Sequence, residues 1–174
     1  MIFTDFLILR GGTLSPLFFV LYFLYILTMN WTDYFINIAE QVKEKSKDIN
    51  TKIGTVIVGK DKEILSTGYN SFPRGLNDEL SERQERPEKY FWFEHSERNA
   101  IYNAARIGVS LKESTAYLTS GLPCMDCARG LVQSGIVKIV CKEVCTTKNQ
   151  GKWEEQQKRS LLMLSECGVV VEFY

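Results

Sequence analysis

The chain has 174 residues, 45% hydrophobic and 24% charged, which is room for one globular domain with a sizeable core and barely for two. Its 21 basic and 21 acidic residues cancel, which excludes a nucleic-acid clamp held mainly by phosphate neutralisation and leaves room for a small anionic ligand. A single histidine excludes any mechanism that needs two from one chain, and five cysteines cannot all pair within it, so thiols used for metal are favoured.

Residues 14–29 read LSPLFFVLYFLYILTM without a charge, and only Asp5 and Arg10 are charged before them. The stretch lies at the lower limit for spanning a bilayer. Membrane anchor, signal peptide, hydrophobic docking segment and translation from upstream of the natural start all compete. Little positive charge before the run and no small-x-small cleavage site after it weigh against a signal peptide. The favoured expectation is that residues 1–28 are an appendage or that Met29 is the natural start, with one compact domain over 29–174. The expected location is the cytoplasm, with membrane association through residues 14–29 as the competing reading.

Residues 31–46 are predicted helical, with Trp31, Phe35, Ile38, Ala39 and Val42 on an apolar face and Glu40, Lys43 and Glu44 outside. Strands at 55–58 and 64–67 flank the turn Gly59-Lys60-Asp61 as a hairpin. A long loop over 70–94 follows, broken by Pro73, Gly75 and Pro87, and long ordered loops often carry function. Then come a helix at 97–106, a strand at 115–119, a helix at 125–133, a strand at 136–140, a helix at 153–166 and a strand at 169–173. Two strands followed by alternating helix and strand predict a three-layer α/β/α domain with a mixed sheet. The late crossovers make the last strands parallel, with right-handed connections.

The chemistry concentrates in His95-Ser96-Glu97 and, further on, Pro123-Cys124-Met125-Asp126-Cys127, the pattern H-x-E then P-C-x-x-C. Cys124 and Cys127, three apart at a helix start, share a face and can grip one ion, and a helix N-terminus favours thiolates. His95 adds a neutral nitrogen. Three protein ligands leave the fourth position of zinc open, which is the catalytic arrangement. Glu97 is near enough to touch a water there without ligating. A lone C-x-x-C also suits a redox pair or half of a structural zinc site, with Cys141, Cys145 and Cys167 as candidate fourth ligands. Cys141 ends an apolar strand and Cys167 precedes one, which reads instead as small buried thiols.

This signature resembles that of the zinc nucleoside and nucleobase deaminases. The resemblance extends through Ser66-Thr67-Gly68-Tyr69-Asn70, Phe72-Pro73-Arg74-Gly75, Arg86-Pro87-Glu88-Lys89-Tyr90 and residues 94–101 to the deoxycytidylate (dCMP) deaminase family, and covers nearly all of 31–174. It implies a cytidine deaminase-like fold with a five-stranded mixed sheet, and hydrolysis of dCMP to dUMP with release of ammonia, feeding thymidylate synthesis. It implies that His95, Cys124 and Cys127 hold one zinc ion per chain and that Glu97 is the proton shuttle, serving the attacking water, ring N3 and the leaving amine. By the same resemblance Asn70 contacts sugar and base, the Ser96 amide meets the pyrimidine carbonyl, and Arg106 serves substrate binding and regulation. Tyr69, Ser71 and Arg74 become candidate effector or phosphate contacts, for dCTP as activator and dTTP as inhibitor of a homohexamer.

Two positions depart from the family pattern. Ser96 stands where alanine is usual, and little change is expected because its backbone amide is kept. Ser71 stands where glycine is usual, so regulation depends on serine fitting that backbone. Arg74, Arg83, Arg86 and Lys89 suit either a 5′-phosphate or a solvated loop face alternating with Glu82, Glu85 and Glu88. Phe91, Trp92 and Phe93 are expected to pack the loop on the core or form a subunit contact rather than wall a base pocket, and Trp153 to pack a helix. The competing functions are deamination of another cytosine or purine nucleoside or nucleotide, and a non-catalytic nucleotide-sensing zinc module. Zero net charge weighs against a tRNA substrate and against nucleic-acid partners generally, and Glu97 beside the metal weighs against the module.

Overall fold

A computed structural model describes residues 16–143 and 150–174 of the chain. The chain divides into two compact units, Met1–Tyr34 and Phe35–Tyr174. In the first, helix α1 spans Pro16–Thr28 and is apolar throughout, as its sequence requires. Among the described residues no helix is long and apolar enough to cross a membrane. Asn30 starts helix α2 (Trp31–Lys43): its Oδ1 accepts from the Asp33 N–H at 2.9 Å, capping one otherwise unpaired helix donor, while its Nδ2 donates to Asp33 Oδ2 at 2.9 Å. Trp31, expected on the buried face, is exposed and sits edge-on to Tyr34, while Ile36 takes the core place.

The second unit holds strands β1 (Gly54–Val58), β2 (Ile64–Tyr69), β3 (Ser114–Leu118), β4 (Ile136–Cys141) and β5 (Val170–Phe173) in one sheet of order β2-β1-β3-β4-β5. β1 pairs antiparallel with β2 and β3, and β3, β4 and β5 run parallel, so the sheet is mixed and its late strands parallel, as expected. Because side chains alternate along a strand, each central strand feeds two cores. Val56, Val58, Tyr117 and Val140 meet Phe35, Ile36 and Ala39 of α2. On the other face Ile57, Ala116, Leu118, Ile139 and Cys141 meet helices α4 (Ser96–Ile107), α5 (Met125–Gln133) and α6 (Gln150–Glu166) through Ala100, Ala104, Ala128, Leu131 and Leu164. This is the expected three-layer α/β/α arrangement.

The segment read as a plain loop contains a 3-10 turn, Ser81–Gln84, and a one-turn helix α3, Lys89–Trp92. Its two ends are stitched together: Ser71 and Glu94 form an antiparallel bridge, each N–H donating to the other's carbonyl at 3.1 and 2.8 Å. Phe72 and Phe93 stack just inside the bridge, ring centroids 4.2 Å apart. Trp92 packs under Arg83, whereas Phe91 is 77% exposed and does not anchor the loop. Cys141 is buried as expected, but Cys167 is exposed. It lies in the C-terminal turn of α6, where Gly168 at φ 73° swings the chain into β5 and turns the thiol outward. Cys145 and the Trp153 side chain lie outside the described residues.

Candidate metal centre and active site

Two helices begin at the site. His95 is the N-cap of α4 and Cys124 the N-cap of α5, and neither side chain caps its own helix. Both turn to each other instead: His95 Nδ1 lies 3.5 Å from Cys124 Sγ and 3.4 Å from Cys127 Sγ, with the three donor atoms within 4.8 Å of one another. Tetrahedral zinc with Zn–N near 2.0 Å and Zn–S near 2.3 Å gives an N···S edge of about 3.5 Å. The spacing and the soft donor set therefore fit zinc. Both helix N-termini also favour negative charge on the thiols.

Gly68 sets the depth of α4. A Cβ there would meet Ser96 O and Ala100 N, both at 2.3 Å, so only glycine lets β2 run against the helix backbone at this point. The three donors shift one another's proton affinity. The Cys127 thiol holds Cys124 as a thiolate, pulling it down to about 3 against the cost of burial. Cys127 is correspondingly pushed well above the thiol range by its bond to Cys124, by burial and by Glu97. His95 is raised by its bond to Cys124, with burial opposing.

Glu97, in the first turn of α4, is 4% exposed. Its charge acts on both His95 and Cys127. Ser96 Oγ donates to Glu97 Oε2 at 2.9 Å and lies 2.8 Å from Thr55 Oγ1. The serine side chain, expected to matter little, thus bonds to the carboxylate. Arg98 braces the rim by pairing with Glu94 and reaching Asp126 at 3.8 Å. Burial works to lower Arg98, but the negative charge of the Cys127–Cys124 pair and Glu94 together hold it above its ordinary range.

Asn70 is buried and its amide fully engaged. Oδ1 accepts from Ser46 Oγ and the Ile53 N–H, both at 2.8 Å, and Nδ2 donates to Asp48 Oδ2 at 3.0 Å and Thr51 O at 2.8 Å. Asp48, itself buried, also pairs with the largely enclosed Lys89. Tyr69, Ser71 and Arg74 line one cleft of about 230 Å³ with Asn99 and Asn103, separate from the donor trio. Ser71 carries no positive φ, so serine is unstrained there. Arg106 is exposed near the far end of α4, about 14 Å of helix rise beyond Glu97, and the fold does not bring it to the trio. All four loop cations are engaged within the chain: Arg74 with Asn103, Arg83 on Trp92, Arg86 over Tyr90 and Lys89 with Asp48. Sequence reasoning missed Thr55, Asp48 and Arg98. An alternating strand and a charged loop give no local sign of partners that lie far along the chain.

The family described as "Cytidine and deoxycytidylate deaminase zinc-binding region" matches residues 29–143. An "Uncharacterized deaminase in luxG 3'region" of Aliivibrio fischeri is 37% identical over 141 residues, 81% of this chain and 91% of that protein. A probable deoxycytidylate deaminase of Caenorhabditis elegans is 42% identical over 108 residues, 60% of this chain and 53% of that one. Human deoxycytidylate deaminase is 31% identical over 117 residues, 64% of each chain. The chain thus spans between half and two thirds of these two animal relatives. The fold is similar to that of the cyanophage S-TIM5 dCMP deaminase solved with dCMP and dUMP, at TM-score 0.61 and 22% identity over 93% of this chain and all of that one. Since the matched region runs from α2 through β4 and takes in every residue of the donor trio together with Glu97, the chain belongs to the cytidine and deoxycytidylate deaminase family.

Proposed function

We propose that the chain is a zinc enzyme that hydrolyses dCMP to dUMP with release of ammonia, supplying dUMP for thymidylate synthesis. The observation that carries this reading is a buried carboxylate, Glu97, beside a donor trio that leaves one tetrahedral position free. The deoxycytidylate deaminase names of the relatives favour dCMP over other amino-pyrimidines. His95, Cys124 and Cys127 hold the ion. Zinc, when bound, supplies a Lewis acid that makes water a nucleophile near neutral pH. Glu97 accepts a proton from the attacking water and hands it to ring N3, then takes the second proton from the new C4 hydroxyl and hands it to the amine, which leaves C4 as ammonia. The Ser96 N–H, first in α4, has no acceptor within the helix and is the donor for the pyrimidine carbonyl. Asn70 ties segment 46–53 together, and contact with the sugar requires it to give up one internal bond.

For regulation, the cleft of Tyr69, Ser71 and Arg74 is the place assigned to dCTP or dTTP, and Arg106 is assigned to contacts made away from the trio in a homohexamer. The deciding experiment measures ammonia release from dCMP, dCTP, deoxycytidine and CMP by the zinc-loaded protein. Turnover confined to dCTP or the free nucleoside overturns the substrate, and no turnover of any of the four favours the sensing module. Glu97→Ala is expected to keep zinc and lose about 10²–10⁴-fold in turnover. Unchanged dCMP saturation curves with dCTP and dTTP overturn the effector assignment.

A further inference from the structure

We infer that Thr55 and Ser96 form a two-hydroxyl relay that fixes which oxygen of Glu97 carries the shuttled proton; this rests on the deaminase reading above. Thr55 and Ser96 are fully buried and Glu97 is 4% exposed, so no bulk water competes for these bonds. Thr55 Oγ1 lies 2.8 Å from Ser96 Oγ, and Ser96 Oγ lies 2.9 Å from Glu97 Oε2. Each hydroxyl has one proton, and an ionised carboxylate only accepts. Ser96 therefore donates to Oε2. With its proton used there, it can only accept from Thr55. The direction is fixed as Thr55 O–H to Ser96 O–H to Glu97 Oε2.

That direction holds through the catalytic cycle. When Glu97 takes up a proton, the bond to hydrogen forms at Oε1, because Oε2 already faces a donor. Oε2 becomes the carbonyl oxygen of the acid and still accepts from Ser96. When the proton leaves Oε1 for the substrate, the starting state returns with no change at either hydroxyl. The relay also ties the carboxylate to the sheet, since Thr55 belongs to β1, which is central and buried along its length. Adjacent residues on a helix do not normally face each other, yet the Ser96 and Glu97 side chains meet here in the first turn of α4. Thr55 and Ser96 are thus positioning residues: they act through Glu97 and need not touch the substrate.

The test uses full-length zinc-loaded protein with dCMP and the variants Thr55→Val, Thr55→Ser, Ser96→Ala, Thr55→Val with Ser96→Ala, and Glu97→Gln. Zinc content, Tm, kcat and KM are measured for each. The Glu97 carboxylate band is read without substrate, as an infrared difference against Glu97→Gln. Ser96→Ala is expected to lower kcat about ten-fold with KM within two-fold, and to shift that band. Thr55→Val lowers kcat about three-fold and Thr55→Ser restores it. On the Ser96→Ala background, Thr55→Val has no further effect on kcat. Wild-type kcat and an unshifted band in Ser96→Ala overturn the relay, as does an equal Thr55→Val effect on both backgrounds. If Ser96→Ala does not fold, the Thr55→Val and Thr55→Ser pair decides: equal kcat in the two overturns it. A fully active Glu97→Gln overturns the underlying reading of Glu97, whereas an inactive Glu97→Gln beside an unaffected Ser96→Ala overturns the relay alone.

Discussion

Replacing Gly68 with alanine places a methyl group where β2 and α4 touch. Its nearest neighbours, Ser96 O and Ala100 N at 2.3 Å and Ala100 Cα at 2.9 Å, are all backbone, so no rotamer change relieves the overlap. Ordinary contact begins near 3.4 Å, so α4 must withdraw by about 1 Å. That helix carries Ser96 and Glu97 and begins at His95, while both thiols belong to the start of α5. A shift of that size exceeds the roughly 0.2 Å tolerance of a ligand distance. Misplacement by about 1 Å at a reacting centre costs about 10²-fold in rate. Overpacking of this kind costs about 1–3 kcal/mol, which for a chain of this size lowers Tm by roughly 2–12 °C. The expected Gly68→Ala protein is therefore folded, poor in zinc and about 10²-fold slower. Circular dichroism melts, zinc content and dCMP turnover on one preparation check this. Gly108→Ala is the control. It strains a left-handed residue at φ 74° in open space beyond the end of α4, so it lowers Tm but leaves zinc content and turnover intact. Wild-type zinc content and turnover in Gly68→Ala would refute the argument that the seat of α4 on β2 sets the ligand geometry.

Three further outcomes are expected. Asp48→Ala leaves the largely enclosed Lys89 without its carboxylate and removes an acceptor from Asn70, at a cost of about 3–5 kcal/mol by urea unfolding; a change below 1 kcal/mol would contradict this. Burial pushes the Cys141 thiol up to about 12 from 9.0. Below pH 9 both folded and unfolded chains keep that proton. Between pH 9 and 12 only the folded chain does, so stability falls as pH rises, by up to about 1.4 kcal/mol per pH unit. Cys141→Ala should flatten that alkaline decline, and identical slopes would count against the burial argument. Removing zinc with a chelator should lower Tm, and Cys127→Ser should show the lower Tm without chelator; an unchanged melt in both would place the metal elsewhere.

The donor trio was legible because its parts are local: a histidine two residues before a glutamate, and two cysteines one helical turn apart. The strands were legible where β-branched residues cluster, as in Thr55 to Val58. The loop was not. Pro73, Gly75 and Pro87 read as breakers, and the order between them comes from pairs far apart in sequence, Phe72 with Phe93 and Asp48 with Lys89. Asn70 shows the same limit. The motif marked it as important, but only the fold reveals that Ser46, Asp48, Thr51 and Ile53 already occupy its amide. Cys167 was misread because nearness to a strand in sequence does not say which way a turn faces.

The bridge between Ser71 and Glu94 makes the chain between them a closed excursion that leaves and rejoins the domain at one point, immediately before His95. Closure entropy grows slowly, by about 0.6 kcal/mol for each doubling of loop length. Residues in the mostly exposed stretch between the Arg74–Asn103 and Lys89–Asp48 contacts can therefore be inserted or deleted with little effect on where the histidine emerges. That stretch is an exchangeable cassette held between two fixed anchors: it can vary in length and composition, while the chemistry downstream of Glu94 keeps its geometry.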